Sequence, residues 1–351
     1  MPPPPWAAFP DPNRPIAQPK RRESRLVEEI IDKSFDYQIR QVLDLPRMGR
    51  KLIGRPYETL NVDRFDEVPN SSWFTNRNGV KPMSPLAVFR GPNRSGGPDM
   101  SAPWEVVSIK SAGVTPGMTI LDARGDRYIV KFDPPGSPEL ASAAEVVAAR
   151  LLHAAGYNVP ENYIAYVEKR QLRLRSEARL TVGTDDSRPP ISSRSVQQED
   201  LDQLFEGARG DDGPVRVLAS RFLDGVPIGP WSYTGVRRDD PNDIYRHEHR
   251  RDIRGFYVIA SWLNHADMKE ENTLDIYDPE TQQVTHFLID FGASLGSNST
   301  GPSNPRRGQA NSLDVRDALT RLFTLGLYVH NYEKAPRTVF HPSVGYLDNQ
   351  L

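Results

Sequence analysis

The chain has 351 residues, and its 44 Lys and Arg against 46 Asp and Glu give a formal net charge of −2, so charge alone indicates no nucleic-acid or membrane partner. A content of 37% hydrophobic and 26% charged residues is typical of a globular protein, and the length allows two lobes with a sizeable core. The absence of cysteine excludes disulfides, thiolate metal sites and cysteine nucleophiles, and no apolar run approaches the ~20 residues of a membrane-spanning helix.

The N-terminal part of the chain contains no recognisable catalytic motif. Residues 1–24 are rich in Pro and lack an apolar signal core, so they predict a disordered tail. Cellular location stays open: the cytoplasm is the default, and a secreted or periplasmic location is the alternative if a signal peptide has been removed. The Lys-Arg-Arg cluster at 20–22 is interpreted as solvated, with an address signal or an anionic docking patch as the alternative. Residues 25–100 predict an N-terminal extension in which one helix is followed by loop-rich chain.

Three consecutive strands are predicted next, over 104–109, 118–121 and 127–132. The turn between the first two strands carries Gly113 and Gly117, whose backbone N–H groups could approach phosphate oxygens closely, and Lys110 beside them could add a positive charge. The G-x-x-x-G spacing departs from the usual phosphate-covering pattern. An ordinary hairpin turn with a solvated lysine explains these residues equally well, and both interpretations stay open.

Lys131 lies near the end of the third strand, in the sequence Ile-Val-Lys-Phe, and the next helix is predicted to run from Ser137 to near Gly156. The middle of that helix carries Glu145 among small and apolar residues, which indicates a buried carboxylate that needs a partner, and Lys131 is the natural one. Glu139 is the competing carboxylate, but its place in the first turn suits a capping or helix-dipole role. The competing interpretation of Lys131 is an exposed position on a half-buried strand.

The remainder of this region reads as further strands around a polar insertion. Strands are predicted over 162–167, 172–174 and 215–222, and the polar stretch 184–213 is predicted to be an insertion or loop. Residues 223–225 (Leu-Asp-Gly) fit a hinge after the last strand.

The last third of the chain predicts a helix, a hairpin and a final helix. The first helix covers 248–264 with an apolar face at helical spacing, and strands over 273–277 and 284–289 form the hairpin. The stretch 294–311 is rich in Ser, Gly, Asn and Pro, and a last helix is predicted over 312–330.

The most specific motif joins the end of the first helix to the end of the hairpin. It reads His265-Ala-Asp267-Met-Lys-Glu-Glu-Asn272, followed after the hairpin by Asp290-Phe-Gly. Asp267 and Asn272 are five positions apart, which lets one loop present both groups to the same phosphate. The two motifs resemble those of protein-kinase catalytic centres, where phosphoryl transfer needs a carboxylate near the attacking hydroxyl and oxygen ligands on Mg²⁺. The resemblance makes Asp267 a candidate base, and Asn272 and Asp290 candidate metal ligands. The competing interpretations are a loop residue after the helix for Asp267 and a turn residue at the strand end for Asp290. The nearby histidines, His247 and His249, are two apart and are interpreted as a solvated helix start rather than a metal site.

With Lys131, Glu145, Asp267, Asn272 and Asp290 in this order, the chain resembles the protein-kinase-like superfamily over about residues 103–330. The compact small lobe, the long hairpin and the lack of an Ala-Pro-Glu anchor make it more similar to atypical members, such as HipA-like and lipid-kinase-like enzymes. Ala266 departs from the family pattern, which has a structural Arg at this position.

The resemblance implies an α+β, bilobal fold, with an antiparallel β small lobe over 101–225 and a mainly helical, short large lobe over 226–351. It implies ATP and Mg²⁺ as cofactors, Lys131 on the nucleotide phosphates, with Lys110, Gly113 and Gly117 as weaker contacts, and a hydroxyl acceptor on a protein or small molecule. Two other functions stay open: a nucleotide-binding pseudokinase that serves as a scaffold, and an enzyme that transfers AMP on the same fold.

Overall fold

The computed structural model describes residues 13–24, 31, 39, 43, 45–54, 59–110, 116–182, 192–208, 213–298, 300–303, 315–329 and 334. Its helices are α1 (Leu45–Leu52), α2 (Arg77–Val80), α3 (Pro85–Arg90), α4 (Leu140–Ala155), α5 (Gln198–Ala208), α6 (Arg251–Trp262) and α7 (Val315–Phe323). Its strands are β1 (Trp104–Lys110), β2 (Gly117–Leu121), β3 (Arg127–Phe132), β4 (Asn162–Val167), β5 (Leu172–Val182), β6 (Ser192–Ser195), β7 (Val215–Arg221), β8 (Val226–Pro227), β9 (Thr273–Asp278) and β10 (Gln283–Leu288). The chain is therefore an α+β protein.

Seven strands form one sheet in the order β4-β7-β3-β2-β1-β5-β6. The three predicted strands before α4 are present as β1 to β3. The expectation of a purely antiparallel sheet is wrong, because β5 pairs with β1 in parallel after a long crossover. The sheet is therefore mixed.

The two faces of this sheet differ in burial, as strand alternation requires. On β3 the side chains of Tyr128, Val130 and Phe132 are buried, whereas Ile129 and Lys131 are only partly buried. The buried face packs against α5, and both belong to the same hydrophobic core. The partly buried face carries Lys131 toward α4.

The polar stretch 184–213, predicted to be an insertion or a loop, contains regular structure. It contains β6 and α5, and α5 places Leu201, Leu204 and Phe205 into the core of the sheet. These three apolar residues recur at helical spacing within an otherwise polar sequence, and that spacing is enough to bury one face of the helix.

Helix α4 connects the sheet to a second hydrophobic core. Ala148, Ala149 and Leu152 of α4 pack with Ile253 and Phe256 of α6, together with aromatic residues from elsewhere in the chain. The helix begins at Leu140, three residues later than predicted. Glu139 has a left-handed φ of 68° and makes no capping hydrogen bond, so the predicted capping role is not seen.

Beyond residue 225 the described chain has a three-stranded sheet in the order β10-β9-β8 and the helices α6 and α7. This part of the chain therefore combines helices with a small sheet, and the bilobal arrangement with a mainly helical large lobe stays a prediction. His247, predicted to be solvated, is buried and its Nε2 lies 2.8 Å from Oδ2 of Asp243. That aspartate lies four positions earlier and supplies the polar partner that burial requires.

The N-terminal segment 13–24 is not a disordered tail. It runs extended, with no helix or strand, and buries Ile16 in a small cluster with Ile228, Tyr277 and Val284. The predicted disorder of 1–12 and most of the helix predicted after residue 25 lie outside the described residues, as does most of the stretch 299–314. None of the described helices has the length and hydropathy needed to cross a membrane.

Candidate active site

Lys131 lies in a row of cross-strand neighbours on the partly buried face of the sheet. It pairs in register with Gly117 of β2 and with Leu218 of β7, and Gly117 pairs in turn with Lys110 of β1. Directly opposed residues share one face, so the side chains of Lys110 and Lys131 project on the same side, with Gly117 between them. A Cβ at Gly117 would lie 2.6 Å from the carbonyl oxygen of Val130, so close backbone packing alone accounts for this glycine.

The side chain of Lys131 ends at an ion pair with Asp290. Its Nζ lies 2.9 Å from Oδ1 of Asp290, a residue that follows β10 in the other half of the chain. Both residues line a small cavity that opens to solvent, together with Phe132, Ala141, Ser142, Glu145, Leu218 and Gly292. The structure therefore brings Lys131, Glu145 and Asp290 to one place.

Glu145 is the most deeply buried carboxylate of this cavity. Its side chain reaches Asn162 at 3.5 Å through Oε1, and its Oε2 makes no hydrogen bond within the described residues. Burial raises the pKa of Glu145 to about 7; the charge of Lys131 acts to lower it and that of Asp290 acts to raise it further. The backbone N–H groups of Phe291 and Gly292 also favour the charged form.

Asp290 is held in an unusual backbone conformation. Its φ is 60°, which is uncommon for a residue other than glycine, and the next residue, Phe291, is almost fully buried in the second core. Desolvation would raise the pKa of Asp290, but the charge and hydrogen bond of Lys131, followed by Lys269 and His265, lower it below its usual value. Asp290 is therefore a charged carboxylate fixed in the cavity.

The loop after α6 ties Asp267 to Asn272. The amide Nδ2 of Asn272 donates to the backbone oxygen of Asp267 at 2.7 Å and to its Oδ2 at 3.0 Å. Asn272 is buried, whereas the Asp267 side chain remains 41% exposed. Asp267 and Asn272, five positions apart, are thus joined across one loop, and their side chains hold each other in place.

The same loop runs beside the segment that carries Asp290. The amide of Ile289 donates to the backbone oxygen of Asn272 at 3.0 Å, and the amide of Ala266 donates to that of Ala293 at 2.9 Å. His265 is buried, and its Nδ1 lies 2.9 Å from the hydroxyl of Ser294. These contacts hold the two motifs of the sequence side by side.

A Mg²⁺ ion is compatible with this donor set. Because both donor hydrogens of the Asn272 amide face Asp267, its Oδ1 is the atom left to accept a cation, and Asp290 offers a charged carboxylate one residue after Ile289. Within the described part of the chain no cluster of three or more His, Asp or Glu could hold a metal. Mg²⁺ does not need one, since it binds through one or two carboxylates, waters and substrate phosphates.

Lys269 belongs to this site although the sequence interpretation did not single it out. Its Nζ lies 3.1 Å from Oδ2 of Asp267, and that charge keeps the pKa of Lys269 above its usual value despite desolvation, which acts to lower it. In the sequence, the feature that could have indicated a role for Lys269 is its position inside the loop motif, two residues after Asp267. Exposed lysines are common in loops, so that signal is weak without the geometry.

Of the other three residues predicted to contact the nucleotide, Lys110, Gly113 and Gly117, the two that the structure describes do not line the cavity. Lys110 and Gly117 lie in the Lys131 row but not among the residues that line the cavity. Gly113 lies outside the described residues. The cavity contains Ser142 instead, whose hydroxyl donates to Oδ2 of Asp133 at 2.6 Å.

Fold and site together define an α+β protein with a cavity that is lined by charged and apolar side chains from both halves of the chain. Comparison with protein-family models, with curated proteins and with solved structures finds no match for the chain. The functional assignment therefore rests on the residues and their geometry.

Proposed function

We propose that the chain is a Mg²⁺- and ATP-dependent phosphotransferase with an atypical protein-kinase-like site, which moves the γ-phosphoryl group to a hydroxyl on a protein or small molecule. The observation that carries the proposal is the meeting of Lys131, Glu145 and Asp290 at one cavity beside the Asp267–Asn272 loop. These residues are distant in sequence, and their types are those that phosphoryl transfer uses.

The order of elements supports the same function. In protein kinases the nucleotide lysine lies on the third strand, its glutamate lies on the next helix, and the metal-binding aspartate precedes Phe-Gly. Here Lys131 lies on β3, Glu145 on α4, and Asp290 before Phe291. A bilobal arrangement follows if the seven-stranded sheet and the second core act as two lobes on either side of the cavity.

In this proposal each residue has a distinct task. Lys131 would bind phosphate oxygens, and Glu145, the buried carboxylate of the same cavity, would orient its ammonium group. Asp290 and Asn272 would hold Mg²⁺, which neutralises the charge of the transferred phosphoryl group. Asp267 orients the acceptor hydroxyl and accepts its proton, for which a half-exposed carboxylate is well placed.

The lining of the cavity favours the phosphate end of a nucleotide, because it carries the charged side chains of Lys131, Glu145 and Asp290. Ile129, Thr119 and Ser220, which lie in register on the partly buried face of the sheet, extend a surface beyond the cavity for the base. Binding would exchange the Lys131–Asp290 ion pair for contacts of Lys131 with phosphate and of Asp290 with the cation.

The test is incubation of the purified chain with Mg²⁺ and ATP labelled in the γ or the α position, with mixed hydroxyl-bearing acceptors and with ADP and AMP release measured in parallel. We expect transfer of the γ label with release of ADP. Transfer of the α label alone would indicate AMP transfer. Binding of Mg–ATP with no transfer and no product would indicate a scaffold, and no binding would overturn the proposal entirely.

A further inference from the structure

The extended segment 13–24, here called the N-terminal strap, is fastened along the second half of the chain. The amide of Ile16 donates to the backbone oxygen of Gln282, and the hydroxyl of Tyr277 donates to that of Ile16, both at 2.9 Å. The amide of Arg22 donates to the backbone oxygen of Ile228, also at 2.9 Å. Two backbone hydrogen bonds and one side-chain hydrogen bond thus fasten the strap beside β8, β9 and β10.

The surface beneath the strap allows the backbone of Arg22 to approach closely. Gly229, with a φ of +92°, lies directly beneath, and a Cβ there would come to 1.9 Å from the carbonyl oxygen of Arg22. Only a residue without a side chain lets the strap lie this close. The close contact between Gly229 and Arg22 therefore depends on glycine at position 229.

The end of the strap reaches the loop that carries Asp267. Nη2 of Arg22 lies 2.9 Å from Oε2 of Glu270, and the hydroxyl of Ser24 donates to Oε1 of Glu271 at 2.9 Å. The two glutamate side chains are only 10% and 5% exposed. Carboxylates removed from water in this way need such partners, because an unpaired buried charge is costly.

The contacts continue from Glu271 to the proposed base. Nζ of Lys269 lies 3.9 Å from Oε2 of Glu271 and 3.1 Å from Oδ2 of Asp267. Ser24 is thus joined to Asp267 through two charged side chains of one loop. The loop carries three negative charges, on Asp267, Glu270 and Glu271, and Lys269 is its own positive charge. Arg22 adds a positive charge from the strap.

We propose that Arg22 and Ser24 are positioning residues: the strap clamps the catalytic loop through Glu270 and Glu271 and thereby fixes Lys269 and Asp267 for transfer. The catalytic part of this inference rests on the proposed function. The mechanical part, that the strap holds the loop, does not.

The experiment combines hydrogen exchange with steady-state kinetics on the full chain. The amide of Asn272, which donates to the backbone oxygen of Lys269 at 3.0 Å, reports opening of the loop. For Ser24→Ala and Arg22→Ala we expect exchange at this amide to be faster by about tenfold or more, in line with the loss of one charge-assisted hydrogen bond. We expect turnover to fall with the KM for ATP unchanged, since neither residue lines the nucleotide cavity.

Conservative and matched variants separate positioning from general instability. Ser24→Thr and Arg22→Lys keep the donors and should restore most of the exchange protection and turnover. Glu23→Ala removes an exposed side chain between the two and should change neither. If Ser24→Ala does not fold, Arg22→Ala decides the question by the same two measurements.

Equal exchange at Asn272 in the wild type, Ser24→Ala and Arg22→Ala would overturn the inference. A wild type that transfers no phosphoryl group would remove the proposed function, while the exchange rates would still decide whether the strap holds the loop. Faster exchange with unchanged turnover in an active enzyme would overturn the positioning role.

Discussion

The ammonium of Lys131 and the carboxylate of Asp290, 2.9 Å apart, connect β3 of the seven-stranded sheet to the segment after β10. The two residues are far apart in sequence, and each balances the charge of the other at the mouth of a cavity. The pair lowers the pKa of Asp290, so this carboxylate is ionised over the physiological range. It thus holds the phosphate-binding and metal-binding candidates of the proposed site in one place.

Replacing Lys131 tests the nucleotide clamp. For Lys131→Met we expect the rate of phosphoryl transfer to fall by about 10²-fold or more, because the charge that binds the phosphates is lost, while the fold is retained. The measurements are turnover and thermal unfolding of the same preparation. The matched control is Lys169→Met, since Lys169 is also a partly exposed lysine paired with a carboxylate, that of Asp202.

Retained turnover in Lys131→Met would exclude the clamp. A variant that unfolds without a separate effect on turnover would assign Lys131 a structural role instead. The control should keep wild-type turnover in either case, because Lys169 does not line the cavity.

Replacing Asp267 tests the proposed base. Asp267→Asn keeps an oxygen that can accept from the amide of Asn272 but loses the negative charge that Lys269 contacts and the capacity to accept a proton. We expect kcat to fall by about 10²–10⁴-fold, with the KM for ATP within about threefold of the wild type. Unchanged kcat would remove the catalytic role, and a loss confined to ATP binding would reassign Asp267 to the metal.

Glu145 gives the stability of the chain a specific pH dependence. Its pKa is raised from 4.5 to about 7, mainly by burial, so the folded state binds more protons than the unfolded state between these values. Stability therefore falls as pH rises through this window and is constant above it, a difference of about 3 kcal/mol in the free energy of unfolding.

Glu145→Gln mimics the neutral form, so its stability relative to the wild type should rise by about 2–3 kcal/mol from pH 5 to pH 8. Urea unfolding at several pH values measures this. Glu139→Gln, at an exposed position just before the same helix, should follow the wild type at each pH. If the free energies of unfolding of Glu145→Gln and the wild type change with pH in parallel, the pKa of Glu145 is not raised in the folded state and the prediction is wrong.

The sequence carried enough information for the strands around Lys131 and for the two site motifs. Hydrophobic alternation over β1 to β3 and the fixed spacing of Asp267 and Asn272 are local signals, and the structure has the corresponding strands and loop. That Lys131 contacts Asp290 is a long-range relation, for which residue type and order gave only a hypothesis.

The features that sequence reasoning missed depend on tertiary partners. The strap is rich in Pro and charge, as disordered tails are, yet Ile16 finds an apolar cluster and Arg22 finds Glu270. Likewise α5 has a polar sequence with one apolar face, and that face is buried only because it packs against the buried face of the seven-stranded sheet. His247 shows the same effect, because its burial depends on the carboxylate of Asp243.

Calorimetric titration of Mg²⁺ and ATP against the wild type and Asp290→Ala tests the central claim most directly. If Asp290 and Asn272 hold the cation, the wild type binds ATP more tightly with Mg²⁺ than without it, and Asp290→Ala loses that gain, weakening Mg–ATP binding about tenfold or more. The control is Asp202→Ala, which removes a paired carboxylate outside the cavity. Mg²⁺-dependent ATP binding that is equally tight in the wild type and Asp290→Ala would contradict the account.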